Sequence, residues 1–343
     1  MNHTLTDFGL QLIHPFGISR GITTTNPVLF FELEGGGVGE CSPVKYKKQT
    51  VSDARVWLEK FAGLVTEENQ FDLDTLTRKA RAMAPDASAA CAAFDLALHD
   101  RCARAVNLPL YKFMGFPKPQ NPLSSFTIGI DTDEKMVEKT LEAASFPLLK
   151  IKLGRDDADR DMTTLRKIRE AAPGKVIRVD ANCGWSLETA KKCSFVCADL
   201  GIEFIEQPLA IGSYEALAEF KRVCPLPVIA DEDVQDLQSL VPLVGKVDGI
   251  NIKLMKSTGL WEARQMIAFA RAHDWQVMLG CMIESSIGIA AAAHLAGAAV
   301  ALDLDSELLI GNNPCTPGAI LQPNGELHVS DRPGLGVELA LPR

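Results

Sequence analysis

The chain lacks several features that would fix its class at once. No apolar run long enough to cross a bilayer, roughly 18 residues or more, occurs in its 343 residues. The start, Met1-Asn2-His3-Thr4, has neither the basic nor the apolar region of a secretory signal, so a cytoplasmic protein is expected. Positive charge is in deficit: the formal net charge is -9, and no basic stripe is on offer to nucleic acid. Nine cysteines are scattered along the chain, without a Cys-x-x-Cys pair. The nearest approach, Cys193-x-x-x-Cys197, has no second pair to complete a zinc site. Reduced, mostly buried thiols are the better reading. The six histidines show no metal-ligand spacing.

What is present is the balance of a globular enzyme, 47% hydrophobic and 23% charged, in a length that suggests about two domains. Residues 1–50 read as strand and loop. Strand-like patterns cover Leu5–Ile13 and Val28–Leu33, and a Gly35-Gly36-Gly37 turn follows. Residues 52–106 turn helical, through Asp53–Leu64 and the alanine-rich Ala87–Ala105. Pro109, Pro117, Pro119 and Pro122 then mark a domain boundary. From there short apolar runs alternate with amphipathic stretches. The runs are Ser125–Ile130, Leu148–Leu153, Val176–Ala181, Glu203–Glu206, Pro227–Ala230, Gly249–Leu254, Gln276–Gly280 and Ala299–Leu304. This alternation predicts an α/β fold, a parallel sheet covered by helices and closed into a β/α barrel. An open doubly wound sheet is the runner-up, but Leu123–Asp133 carries no glycine fingerprint.

Barrel active sites lie at the carboxyl ends of the strands, and charge gathers there. The second run ends Lys150-Ile151-Lys152, the third Asp180-Ala181-Asn182, the fourth Glu206-Gln207-Pro208. The fifth leads into Asp231-Glu232, the sixth ends Asn251-Ile252-Lys253, and the eighth runs into Asp303-Leu304-Asp305. Residues two apart on a strand share a face, so Lys150 pairs with Lys152 and Asp303 with Asp305. Singly, each has a bland reading: a strand-end aspartate is often a helix N-cap, and a lysine there is usually solvated. Jointly, charge at six of eight strand ends, in runs that otherwise avoid it, points to a site.

Three carboxylates, Asp180, Glu206 and Asp231, with no His or Cys pair nearby suit a hard divalent cation such as Mg²⁺. Lysines on different strands suit proton transfer, provided burial or nearby positive charge lowers their pKa. The cation would hold a substrate carboxylate and stabilise the enolate left when the α-proton departs. A lysine on each face of that planar species permits removal from one side and return on the other, which is racemisation or epimerisation.

These motifs, with the extension Asn251-Ile252-Lys253-Leu254-Met255-Lys256, resemble the enolase superfamily over nearly the whole chain, and within it the muconate-lactonizing group. The resemblance implies a (β/α)7β-type TIM-like barrel over 119–315. It also implies an α+β capping domain over 1–118, completed by the tail 316–343. It implies one Mg²⁺ per subunit on Asp180, Glu206 and Asp231. Lys152 and Lys253 become the acid/base pair, and Lys150 an enolate stabiliser. A finer similarity is to the dipeptide epimerases of the L-Ala-D/L-Glu type, through Gly280-Cys281-Met282-Ile283-Glu284-Ser285-Ser286, Asp303-Leu304-Asp305 and Pro15-Phe16-Gly17-Ile18-Ser19-Arg20-Gly21. It implies that Asp303 and Asp305 bind the dipeptide's ammonium. Arg20, in a capping loop, would meet the side-chain carboxylate of a C-terminal Glu. Recovery of cell-wall peptides is the natural setting of that type. Thr127 on the first run is placed against substrate, although hydroxyls on strands are usually structural.

Some residues depart from the pattern or stay outside it. Ser257-Thr258-Gly259 stands where a glycine pair is common, and Asp233 where a serine is common; both are expected to reshape the pocket. Glu232 is expected to face away from the site by strand alternation, Lys256 to be solvated or to start a helix, and Trp185 to pack. The Asn312-Asn313-Pro314-Cys315 loop has no role from sequence. N-acylamino-acid racemisation, o-succinylbenzoate synthesis and muconate cycloisomerisation compete on the same scaffold, and a silent metal- or peptide-binding protein is the non-enzyme alternative. Asp303/Asp305 discriminates, because an ammonium socket is useless to a substrate without a free amine. A homo-oligomer stays open.

Overall fold

The computed structural model describes residues 1–18, 21–155, 157–317 and 320–341, and the side chains of 16–18, 21 and 22 are not among those described. β1 (His3–Ile18) and β2 (Gly21–Leu33) form a long antiparallel hairpin, and β3 (Gly37–Cys41) pairs with β2. The hairpin runs well past the expected strands. Backbone expected as a capping loop is instead paired, Phe16 with Thr23 and Ile18 with Gly21. A hairpin satisfies its own N–H and C=O groups whatever its side chains, and the β-branched run Thr23–Thr25 favours extension. Arg20 lies outside the described residues.

The helices α1 (Val51–Ala62), α2 (Leu73–Met83), α3 (Ser88–Ala105) and α4 (Leu110–Phe113) cover that sheet. α3 is the alanine-rich segment, and its composition has a reason. A Cβ on Gly39 of β3 would lie 1.9 Å from the Ala93 carbonyl oxygen. Helix and strand therefore meet backbone to backbone, which only small residues permit.

Eight parallel strands follow, each expected run holding one: β4 (Phe126–Ile128), β5 (Leu148–Lys152), β6 (Val176–Asp180), β7 (Ile202–Glu206), β8 (Val228–Ala230), β9 (Gly249–Lys253), β10 (Gln276–Gly280) and β11 (Ala301–Asp303). They pair in chain order. Ser124 just before β4 bridges Leu302 of β11 in parallel, and the Ser125 amide donates to the Leu302 carbonyl at 3.0 Å. That contact closes the barrel and excludes the open sheet. The intervening helices are α5 (Asp133–Glu142), α6 (Ala158–Ala171), α7 (Leu187–Asp199), α8 (Tyr214–Val223), α9 (Leu237–Leu240), α10 (Leu260–Ala272), α11 (Ser286–Ala293) and α12 (Ser306–Leu309). Thr132, Asp157, Ser186, Asp236 and Ser285 each accept a backbone N–H at a helix start, which sets where the loops above the barrel end.

Two buried carboxylates from the N-terminal layer dock on the barrel's helices. Glu40 of β3 accepts the Ser285 and Gly288 amides at the start of α11, and Asp95 of α3 accepts the Leu260 and Trp261 amides at the start of α10. The 312–315 loop gains a role: Asn312 accepts from the Gln11 amide and donates to the Gly9 carbonyl, each at 2.8 Å, stapling β1 to the barrel. No disulfide joins any of the nine cysteines among the described residues. Among the described residues no helix is long and apolar enough to cross a membrane.

The tail returns to the first layer, and the Leu335 amide donates to Asp100 at 2.7 Å. His294, at the end of α11, accepts from the Tyr111 amide through Nδ1 and donates through Nε2 to the Leu335 carbonyl. Those two bonds require the neutral ring. Burial pulls its pKa from 6.5 to about 4, against the Leu335 bond, which raises it. The unfolded chain therefore takes up this proton first. The contribution of His294 to stability is whole above pH 6.5 and is lost as pH falls toward 4. Urea-unfolding free energies across that range should fall less steeply for His294→Gln than for the parent protein. Equal slopes would refute this account.

Candidate active site

The register of the barrel sets the site. Lys152 of β5 stands level with Asp180 of β6, and Asp180 with Glu206 of β7. On the other side Lys253 of β9 stands level with Gly280, and Gly280 with Asp303 of β11. β5 and β9 are four strands apart in a ring of eight, so Lys152 and Lys253 come from opposite walls. Asp180, Glu206 and Asp231 fill one arc between them, and Asp303 and Asp305 lie on the other. Gly280 is needed for this: a Cβ there would meet Lys253 Cε at 3.1 Å and the Asn251 amide at 2.7 Å.

The three carboxylates of the first arc are buried, with ligand oxygens within 4.8 Å of one another. Lys152 Nζ lies 2.6 Å from Asp180, and Lys253 Nζ 2.8 Å from Asp231. Above them a cavity of about 490 Å³ opens, bounded by Lys152, Lys253, Asp231, Asp303, Asp305 and the cap residues Thr23, Asn26, Ser42, Lys45 and Tyr46. That volume suits a small-molecule site. Asn26 and Ser42 both donate to the Ile283 carbonyl at 2.9 Å, which holds the cap over the cavity's edge.

Lys150, expected as an enolate stabiliser, sits deeper than Lys152. Two residues below Lys152, it is fully buried and does not line the cavity. Its ammonium touches Glu206 at 2.7 Å, Asp303 at 2.8 Å and Asp180 at 3.1 Å. Burial lowers its pKa, but Asp303, Glu206 and Asp180 outweigh burial and hold it well above the ordinary value. Lys253 is also held up, chiefly by Asp231 against burial. Both shifts arise with the carboxylates free to pair with these two lysines.

Thr127 lines the cavity, yet its polar groups are spent on the aspartates. Its amide donates to Asp305 at 2.6 Å and its hydroxyl to Asp303 at 3.0 Å. The two aspartates are unequal. Asp303 has Lys150, Ser125 and Thr127 as partners, and its pKa lies below normal despite burial. Asp305 is pushed well up by burial and by Asp303. Asp305 is therefore the carboxylate that a ligand's ammonium would relieve most.

Two residues expected outside the site lie in it. Glu232 lines the cavity and accepts from Asn182 at 3.2 Å. β8 ends at Ala230, so strand alternation no longer governs residue 232. Lys256 is buried, and its ammonium donates to the Asp231 carboxylate and carbonyl. A turn after β9, with the Lys256 amide on the Lys253 carbonyl at 2.9 Å, folds it back beneath Asp231. The one-turn spacing Lys253–Lys256 was the available signal. Asn251, also missed, donates to Glu206 at 2.7 Å. Asp233 is not among the residues that line the cavity. It accepts from Gln207 at 2.7 Å and from the Gly212 amide at 2.8 Å, bracing the loop after β7. Trp185 is buried, as a packing residue should be.

The donor set fits a hard divalent cation. Asp180, Glu206, Asp231, Glu232, Asp303 and Asp305 face Lys150, Lys152, Lys253 and Lys256, which leaves two negative charges unmatched in a buried cluster. Buried charge without a partner is costly. The imbalance surfaces at Glu206, whose pKa burial and Asp180 raise and Lys150 only partly restores. The all-oxygen triad within that cluster suits Mg²⁺.

Two family models together span almost the whole chain. Residues 4–115 match the mandelate racemase/muconate lactonizing enzyme N-terminal domain, and residues 133–342 the enolase C-terminal domain-like family. An L-Ala-D/L-Glu epimerase of Bacteroides thetaiotaomicron is 37% identical over 98% of this chain and 88% of its own length. Among solved structures, a dipeptide epimerase from Cytophaga hutchinsonii, complexed with Mg and D-Ala-L-Val, superposes with a TM-score of 0.93 at 30% identity, covering 98% of this chain and 95% of that one. One from Enterococcus faecalis, with Mg and L-Leu-L-Tyr, gives 0.92 at 31% identity and covers 98% of both chains.

Mg²⁺ at a hundredfold excess over its Kd should stabilise the folded protein by about 2.7 kcal/mol, seen as a raised thermal midpoint after chelator treatment and Mg²⁺ return. Glu206→Gln should erase most of that rise. A Glu206→Gln midpoint that climbs with Mg²⁺ as far as the parent's would remove the triad from consideration as a metal site.

Proposed function

The chain belongs to the mandelate racemase and muconate lactonizing enzyme family of the enolase superfamily, and on that premise we propose that it is a Mg²⁺-dependent dipeptide epimerase inverting the α-carbon of the C-terminal residue by two-base 1,1-proton transfer. The observation that carries this reading is the placement of Lys152 and Lys253 on diametrically opposed strands, β5 and β9, across one cavity. A planar centre between them exposes one face to each ammonium.

Asp180, Glu206 and Asp231 would hold the metal ion. Once bound, Mg²⁺ supplies positive charge beside the substrate's α-carboxylate and makes its α-proton more acidic. The remaining work belongs to the chain. With those carboxylates engaged elsewhere, Lys152 and Lys253 lose the partners that favour their charged forms, and one can act as a neutral base. That amine takes the α-proton from one face, and the opposing ammonium returns a proton to the other. Exchange with solvent then restores the starting protonation. Lys150 keeps Asp180 and Glu206 in place from beneath, and Lys256 does so for Asp231. Asp305, backed by Asp303, receives the ammonium of the N-terminal residue, which fixes the dipeptide's direction and disfavours N-acylated substrates. We take the inverted residue to be glutamate, with Arg20 a candidate contact to its side chain, and the setting to be cytoplasmic recovery of cell-wall peptides. Nine cysteines with no disulfide among the described residues accord with a reducing compartment.

Incubation with a dipeptide set and Mg²⁺ in D₂O should place deuterium at the C-terminal α-carbon, read by mass. Lys152→Ala and Lys253→Ala should each slow epimerisation by roughly 10²–10⁴-fold, the usual scale for losing a positioned acid or base. Each should still allow deuterium exchange into the epimer that its surviving lysine serves. Full-rate epimerisation by Lys253→Ala would defeat the two-base assignment. Exchange confined to N-acylamino acids would replace the dipeptide with an acylated substrate.

A further inference from the structure

Three lysines line the cavity, and two of them, Lys152 and Lys253, rest on carboxylates. The third, Lys45, does not. It opens the short 3₁₀ helix Lys45–Lys47 that follows β3. Among the described residues it forms no ion pair, and its one hydrogen bond is donated to the Thr23 hydroxyl at 3.3 Å. The residue is exposed, and the little water its ammonium loses lowers its pKa with no acid to restore it. A cation in that position gains when an anion arrives.

Its place in the cavity says which anion. Lys45 hangs from the cap beside Thr23, which pairs with Phe16 on the hairpin arm. Its neighbour Tyr46 lies within the electrostatic reach of Asp231 and Lys253, on the metal side. Asp305, the ammonium pole, belongs to the opposite arc, where Met282, Ile283 and Leu309 make the wall apolar. A dipeptide with its ammonium at Asp305 and its α-carboxylate at the triad points its C-terminal side chain up toward the cap. We propose that Lys45 is a specificity-determining residue that binds the side-chain carboxylate of the residue being inverted, so that the substrates are dipeptides with a small or apolar N-terminal residue and an acidic C-terminal one. This rests on the dipeptide-epimerase reading and deepens it.

The test is the ratio of kcat/KM for L-Ala-L-Glu to that for L-Ala-L-Gln, two substrates alike in shape and different in charge. The parent enzyme should favour Glu by roughly ten- to a hundredfold, the scale of one charge-assisted hydrogen bond. Lys45→Ala should bring the ratio close to unity, and Lys45→Arg should keep most of it. Lys45→Glu should take it below unity and raise turnover of L-Ala-L-Lys. A Lys45→Ala ratio equal to the parent's would overturn the proposal. So would a ratio that survives Lys45→Ala and collapses in Arg20→Ala, or a parent enzyme that favours Gln. In all three cases α-deuterium exchange with dipeptides would continue and the epimerase reading would stand. Absence of exchange with every dipeptide would instead remove the reading on which the inference rests.

Discussion

Lys150 is an ammonium with no exposed surface, touching Asp180, Glu206 and Asp303 at once. Such a group is tolerated only while all its partners stay, because removing one partner of a buried pair costs far more than the pair contributes. The three acids come from β6, β7 and β11, and the lysine from β5. The contact therefore ties both arcs of the barrel to one point below the cavity. With Lys256 under Asp231, it builds a floor on which each acid is oriented from beneath. What faces the cavity is the unsatisfied remainder: an excess of negative charge that includes Asp305, and two lysines on opposite walls. The site is electrostatically incomplete by construction, and a divalent cation with an ammonium-bearing substrate supplies what is missing.

The cap depends on the same barrel through a different kind of contact. Glu40 and Asp95 each seat a buried carboxylate on the amide groups at a barrel helix N-terminus, those of α11 and α10. Helix ends present unsatisfied N–H groups and a partial positive charge, so each contact satisfies two needs together. Both lie outside the cavity lining. The Asn312 staple and the Asn26 and Ser42 bonds to the Ile283 carbonyl add fixed points near the cavity edge. The cap is thus positioned by backbone groups of the barrel, whatever side chains it turns toward the substrate.

The barrel is legible in the sequence because a parallel strand buried on both faces reads as a continuous apolar run, and charge at the end of such a run stands out. Lys152, Asp180 and Glu206 end adjacent strands, so register alone brings them level, and Lys253 ends its strand level with Gly280. Legibility weakens where the chain leaves the strands. The alternation that would turn Glu232 away stops at Ala230, and Lys256 reads as solvated because its reversal beneath Asp231 is made by backbone turns whose one trace in the sequence is the Lys253–Lys256 spacing. Lys150 shows the opposite limit. Its face is shared with Lys152 as expected, but two residues of depth separate a group that meets the cavity from one sealed below it, and periodicity carries no depth. The hairpin is longer than its pattern suggests because main-chain pairing, not hydrophobic alternation, extends it through Phe16–Ile18.

These contacts divide the labour of the molecule by layer. Every group proposed to move a proton or hold a metal is on the barrel, where closure at Ser124–Leu302 and the buried lysine network resist displacement. Lys45, Thr23, Asn26 and Tyr46 come from the cap. They reach the cavity from segments that carry none of the floor's charge balance. A change at Lys45 leaves the contacts of Lys150 and Lys256 intact, whereas a change at Asp180 alters a partner of Lys150 and of Lys152 together. Substitutions in the cap can therefore redirect which side chain is accepted at little cost to the chemistry. The barrel end has less freedom, because most of its charges are partners of one another.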